Sequence, residues 1–123
     1  MQKLSKTWFI DFDGTVVKHN PDYKYVEDVL LPGVEEAFAK IPANDVVVIT
    51  TARICGPGDD TGDKIRSFMT KHNLKCDRLM LNLGAGARIL VNDTKPTGYV
   101  TAYAIRVRRD IGLQPGDMDT CQE

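Results

Sequence analysis

Long apolar runs are missing from this sequence of 123 residues, and so is an apolar leader. Residues 1–6 include two lysines and lack the apolar core that a secretory signal peptide needs. No run approaches the roughly 18 apolar residues required for a membrane-spanning helix. We therefore expect a soluble, cytoplasmic protein with no membrane partner.

Cysteine is scarce, and its three positions do not have the spacing of a disulfide framework. Cys55, Cys76 and Cys121 are far apart and form no Cys-x-x-Cys pair, so we expect reduced thiols. A cysteine-dependent phosphatase also needs an arginine six positions after its cysteine. Thr61 and Asn82 stand at those positions after the first two cysteines, which excludes that class of catalysis.

Neither sign of charge dominates, since 16 basic residues accompany 17 acidic ones for a net charge of -1. Composition therefore gives no pull toward nucleic acid or an anionic membrane. A small basic cluster at residues 106–109 is more typical of a solvated face. We expect one domain at residues 1–113, followed by a polar, flexible C-terminal tail at residues 114–123.

What the sequence does contain is an apolar strand that ends in two acids, Thr-Trp-Phe-Ile-Asp-Phe-Asp-Gly-Thr at residues 7–15. Side chains alternate along a strand, so Asp11 and Asp13 should share one face while Phe12 packs on the other. Open parallel sheets bind ligands at the carboxyl ends of their strands. Two carboxylates this close repel each other unless they share a cation or a proton, so the pair predicts a metal or acid–base site.

The sequence Asp-Phe-Asp-Gly-Thr after an apolar strand resembles the first motif of the haloacid dehalogenase superfamily, in its phosphatase branch. The resemblance extends over roughly residues 7–112. It implies a three-layer α/β/α sandwich with a Rossmann-like, mainly parallel sheet. The strand of Asp11 would be central, between the strands that end at Thr51 and Asp93. No insertion is large enough for a cap domain.

Hydrophobic patterns predict an alternation of strands and helices along the rest of the chain. After a flap or hairpin at residues 16–31, the sequence predicts helices at 31–41 and 64–72 and strands at 45–50, 76–81 and 89–93. Residues 99–107 alternate as in a fifth strand, although a helix at 101–110 also fits.

The sequence Thr50-Thr51-Ala52-Arg53, at the end of the second strand, resembles the second motif of the family. A hydroxyl here can bind phosphoryl oxygens without adding charge. Thr51 is the first choice for this role and Thr50 the alternative. Arg53 could bind phosphate or hold the loop, and the resemblance also places Gly14 among the phosphate-binding residues.

The third and fourth motifs depart from the family pattern. The fourth motif would be the strand at 89–93, where Asn92 replaces the first acid and leaves Asp93 as the carboxylate. The resemblance implies Mg²⁺ held by Asp11, Asp13 and Asp93, with Asn92 able to ligate through its amide. No lysine occurs between Lys75 and Lys95, so Arg88 is the candidate for the third-motif cation and Lys95 the alternative.

The activity that this resemblance implies is phosphomonoester hydrolysis through an aspartyl-phosphate on Asp11, with Asp13 as general acid and base. Dehalogenases lack the second acid, so Asp13 favours phosphate chemistry. A small phosphorylated metabolite, such as a sugar or nucleotide phosphate, is the expected substrate. A phosphorylated polynucleotide end and a non-catalytic binding or regulatory role are the alternatives. An open, capless site also suits a homo-oligomer whose neighbour serves as the lid.

Overall fold

The computed structural model describes residues 4–121 and shows a mixed α/β chain. Three strands, β1 (Thr7–Asp11), β2 (Val46–Thr50) and β3 (Arg78–Met80), alternate with two helices, α1 (Val34–Ala39) and α2 (Thr61–Lys71). A 3-10 helix follows at Pro115–Cys121. Within the described part, no helix has the length and apolar character needed to cross a membrane.

The three strands form one parallel sheet in the order β1-β2-β3. Asp11 is in register with Thr50, and Thr50 with Met80, so the carboxyl ends of the strands meet at one edge. Val47 and Ile49 are fully buried in β2, as expected for the central strand of a parallel sheet. The sheet therefore gathers the first and second motifs at one edge, as the sequence predicted.

The expected position of β1 at the centre of the sheet is wrong, because among residues 4–121 β1 pairs with β2 alone. Residues 89–93, expected to form a neighbouring strand, have no regular secondary structure, and Ile89 and Val91 are 87% and 89% exposed. Residues 99–107 form neither the strand nor the helix that their pattern allowed. Strand propensity is realised only where a chain finds a partner strand, and neither segment pairs with a strand within residues 4–121.

The core lies between the sheet, both helices and the segment after residue 110. Its fully buried members include Phe12 and Val17 of the turn after β1, residues 12–17, which we call the motif loop, and Val34 of α1. The 3-10 helix joins the core through Met118 and Cys121, both buried. The tail expected at residues 114–123 is thus packed onto the domain as far as residue 121, and residues 122–123 lie outside the described part.

Helix α2 begins beside an acidic side chain that binds its first turn. The Asp59 carboxylate accepts hydrogen bonds from the backbone N–H and the hydroxyl of Thr61, at 2.9 and 2.6 Å. These bonds satisfy one of the free N–H groups at the start of the helix. Helix α1 is shorter than predicted and starts after Gly33, whose φ of 89° only glycine adopts readily.

Gly112 lies where the C-terminal segment packs against Thr15 and Leu31. It has a φ of 80°, and a Cβ atom there would lie 2.6 Å from the carbonyl oxygen of Thr15 and 2.8 Å from the Leu31 side chain. Gly98 has a similar φ of 78° with no atom within 4 Å of the corresponding position.

Gly112→Ala should therefore reduce the free energy of unfolding far more than Gly98→Ala, which pays the conformational strain alone. We expect losses of roughly 3 kcal/mol and roughly 1 kcal/mol, measured by urea denaturation. Equal losses would show that the contact with Thr15 relaxes without cost.

Candidate functional site

The first motif forms a tight turn at the carboxyl end of β1. The Phe12 carbonyl accepts hydrogen bonds from the backbone N–H groups of residues 15, 16 and 17, and Gly14 has a φ of 77°. Phe12 is fully buried, whereas Asp11 and Asp13 are half-buried. The alternation predicted from the sequence is confirmed, and it leaves both carboxylates facing away from the buried ring between them.

Asp11 sits in an environment that disfavours its charge. Burial is the main reason why its pKa is raised above the ordinary value of 3.8, and the negative charge of Asp13 raises it further. The positive charge of Arg88 and a 3.4 Å hydrogen bond from the Thr15 hydroxyl act in the opposite direction. Arg88 is thus close enough for its charge to act on Asp11, as the expected third-motif cation should.

The raised pKa makes a prediction about stability. A carboxyl whose pKa is raised in the folded protein does not affect the free energy of unfolding at a pH below 3.8, where it is protonated in both states. It lowers the free energy of unfolding by a growing amount as the pH rises through the folded pKa. Asp11→Asn should therefore stabilise the protein at neutral pH, by on the order of 1 kcal/mol. The gain should shrink as the pH is lowered toward 3.8, and thermal unfolding of both proteins across that range measures it. A gain that increases on acidification would contradict the prediction.

Asp13 is held by two groups from the loop after β2. The Thr51 hydroxyl donates to one carboxylate oxygen at 2.8 Å, and Arg53 donates to the other through Nε and Nη2 at 3.0 and 2.7 Å. Thr51 is fully buried and also accepts a hydrogen bond from the backbone N–H of Arg53 at 3.1 Å. The second motif therefore contacts the first motif directly.

Arg53 is buried and is held by several side chains of the site. Its side chain is 4% exposed and also binds Asp28, through Nη1 at 3.1 Å and Nη2 at 2.7 Å. The guanidinium carbon lies 5.0 Å from the centre of the Phe12 ring and 4.6 Å from that of Tyr23. Burial lowers the pKa of Arg53, but the hydrogen bonds and charges of Asp28 and Asp13 outweigh it and leave the pKa raised.

Three candidate phosphate ligands already have partners inside the protein. The Thr51 hydroxyl donates to Asp13, and the Gly14 N–H donates to the Val17 carbonyl at 2.7 Å. Of the two roles left open for Arg53, the structure shows the one that holds the loop, through carboxylates. Thr50 is buried in β2 and in register with Asp11. Binding phosphate through Thr51 or Arg53 would require their hydrogen bonds to Asp13 to change.

The remaining candidates lie in exposed chain. Arg88 donates to the carbonyls of Gly84 and Gly86, at 2.6 and 2.9 Å, in the loop that brings it toward Asp11. Asn92 donates to the Thr101 carbonyl at 2.7 Å and so has a structural partner.

Asp93 and Lys95 line a groove of about 510 Å³ together with Leu4. Both side chains therefore lie beside Leu4, in a part of the chain without regular secondary structure.

The structure places two of the side chains implied for Mg²⁺, Asp11 and Asp13, at the same edge of the sheet. No group of three His, Cys, Asp or Glu side chains suited to a metal occurs within residues 4–121. The strand that would have carried Asp93 to the edge beside Asp11 is the one that does not form.

Sequence reasoning missed Asp28, which binds Arg53 beside Tyr23. Asp28 and Tyr23 both lie in the flap, and Asp28 is anchored there by the side-chain amide of Asn20 at 3.2 Å. No motif marked Asp28, because its partner Arg53 is 25 positions away and the contact depends on how the flap folds. Thr15, whose hydroxyl donates to Asp11, differs from Asp28 in that it belongs to the first motif.

No family model, curated protein or solved structure matches this chain.

Proposed function

We propose that this chain is a phosphomonoester hydrolase that works through an aspartyl-phosphate on Asp11, on a Rossmann-like three-layer frame. The observation that supports it best is the position of Asp11. Its carboxylate is half-buried at the carboxyl edge of a parallel sheet, next to a second carboxylate and within reach of the charge of Arg88. A partly desolvated carboxylate is a stronger nucleophile than a fully hydrated one.

In the first step, an Asp11 oxygen attacks phosphorus and the ester P–O bond breaks. For this step Asp13 must first hold a proton, which it gives to the leaving oxygen, and the phosphoryl group stays on Asp11. In the second step, Asp13 takes a proton from water, which attacks phosphorus and releases inorganic phosphate, and Asp11 is regenerated. The hydrogen bonds from Thr51 and Arg53 fix the orientation of Asp13 for both proton transfers.

Arg88 supplies positive charge for the approach of a phosphate dianion to Asp11. Its planar guanidinium offers paired donors that match phosphate oxygens, and its charge already acts on Asp11. The resemblance also implies Mg²⁺ as cofactor. Asp11 and Asp13 are the two members of that ligand set at the site, and dependence on Mg²⁺ stays a prediction.

The substrate class that we propose is a small phosphorylated metabolite, such as a sugar or nucleotide phosphate. A phosphorylated polynucleotide end is the second candidate, favoured by one observation. Arg109, in the basic cluster at residues 106–109, lies against the motif loop, with its Cγ 3.1 Å from the position of a Cβ atom on Gly14. That places a cationic side chain beside the loop where a phosphate chain would pass.

Hydrolysis of an aryl phosphate with and without added Mg²⁺ tests the proposal, and a panel of sugar phosphates, nucleotides and 3′-phosphorylated oligonucleotides tests the substrate class. Turnover that prefers the oligonucleotide would favour the polynucleotide substrate. Inactivity across the panel would support a binding or regulatory module instead, a role in which the hydrogen bonds around Asp13 are purely structural.

A further inference from the structure

We propose that Asp28 is a positioning residue for the hydrolase, acting through Arg53 on Asp13; this rests on the proposed function. The three side chains form a row in which one guanidinium bridges two carboxylates. Nη2 of Arg53 lies 2.7 Å from an oxygen of each of them. Asp28 comes from the flap and Asp13 from the motif loop, and Arg53, which joins them, lies 25 and 40 positions further along the chain.

The bonds to Asp28 fix the plane of the guanidinium. Arg53 uses Nη1 and Nη2 on Asp28 and uses Nε and Nη2 on Asp13, so each carboxylate takes one edge of the fork. Paired, charge-assisted bonds of this kind set orientation as well as attraction. Without the Asp28 edge, the guanidinium could rotate about its long side chain, and the two bonds that orient Asp13 would loosen.

Two aromatic contacts restrict the guanidinium further. The Phe12 ring comes from the strand side and the Tyr23 ring from the flap, both within the distance of a cation–π contact. Asn20 in turn holds Asp28 by its side-chain amide. The flap thus contributes a second layer of contacts that holds Arg53 against Asp13.

The experiment compares Asp28→Asn with Glu27→Gln, which removes the same charge from an exposed neighbouring position. We expect Asp28→Asn to lower kcat on an aryl phosphate by on the order of tenfold and to change KM by less than about twofold, because Asp13 acts in the chemical step. Glu27→Gln should leave both constants near those of the wild type. In an Asp13→Asn background, Asp28→Asn should lower kcat by less than about twofold, since its target is already removed.

The outcomes separate this inference from the proposed function. No turnover by the wild type, or full turnover by Asp11→Asn, would refute the hydrolase and the positioning role with it. Turnover that requires Asp11 but is the same in Asp28→Asn and Glu27→Gln would refute the positioning role alone, as would an equal loss in the Asp13→Asn background.

Asp28→Asn could fail to fold, because it weakens a buried ion pair. Asn20→Ala then replaces it, since it removes the hydrogen bond to Asp28 and leaves all three charges in place. A drop of about threefold in kcat with KM unchanged supports the proposal. A kcat equal to that of Glu27→Gln overturns it.

Discussion

Replacing Asp11 with asparagine should reduce the hydrolysis of a phosphomonoester by about a thousandfold or more. The amide is a poor nucleophile and cannot form the aspartyl-phosphate, and losing a nucleophile removes a whole reaction path rather than one contact. The measurement is kcat/KM on an aryl phosphate with purified protein. Trapping of ³²P on the wild type, but not on the variant, would locate the intermediate.

Two controls make this result specific. Asp63→Asn removes a carboxylate from an exposed position on α2 and should leave activity unchanged. Thermal unfolding of Asp11→Asn, which we expect to be at least as stable as the wild type at neutral pH, then shows whether the inactive variant is folded. An Asp11→Asn protein that keeps more than about a tenth of the activity would show that another group carries the reaction.

Replacing Arg53 with methionine should destabilise the protein by about 3 kcal/mol or more. The substitution leaves Asp13 and Asp28 partly buried, close to each other and without their shared cation, and breaking a buried ion pair in this way is far more costly than breaking an exposed one. The free energy of unfolding, measured in urea, reports the loss. It should far exceed that of Arg78→Met, which removes an exposed guanidinium from β3.

A triple variant tests whether that loss of stability comes from unpaired charge or from lost packing. Combining Arg53→Met with Asp13→Asn and Asp28→Asn removes the two carboxylates along with their cation. Stability should partly return, because neutral amides near the methionine no longer repel each other. A triple variant less stable than Arg53→Met would show that the loss came from packing against Phe12 and Tyr23 rather than from charge.

The parts of the fold that the sequence predicted are those fixed by local pattern. The alternation around Phe12, the β-branched run of β2 and the helical spacing of α2 each express a preference that their own residues satisfy. The turn at Gly14 follows from the same local chemistry. These features were enough to predict that Asp11, Asp13 and Thr51 share one edge of the sheet.

The parts that failed depend on distant partners. Ile89 and Val91 are residue types that favour strands, yet within the described residues their segment pairs with no strand and both side chains are exposed. Asp93 belongs to the same irregular segment. The 3-10 helix at Pro115–Cys121 packs on the domain because Met118 and Cys121 reach the core, which two apolar residues in a polar stretch did not reveal. The partners of Arg53 could not be predicted either, since 25 and 40 positions separate it from Asp28 and Asp13.

The sole tryptophan gives this chain a built-in optical reporter. Trp8 lies on β1, and its indole N–H donates to the buried carboxylate of Asp45 at 3.0 Å, just before β2 begins. Its emission should shift to the red as soon as these two strands separate, whatever happens at the carboxyl edge of the sheet. A fluorescence titration can therefore follow the sheet in every variant without contribution from a second indole.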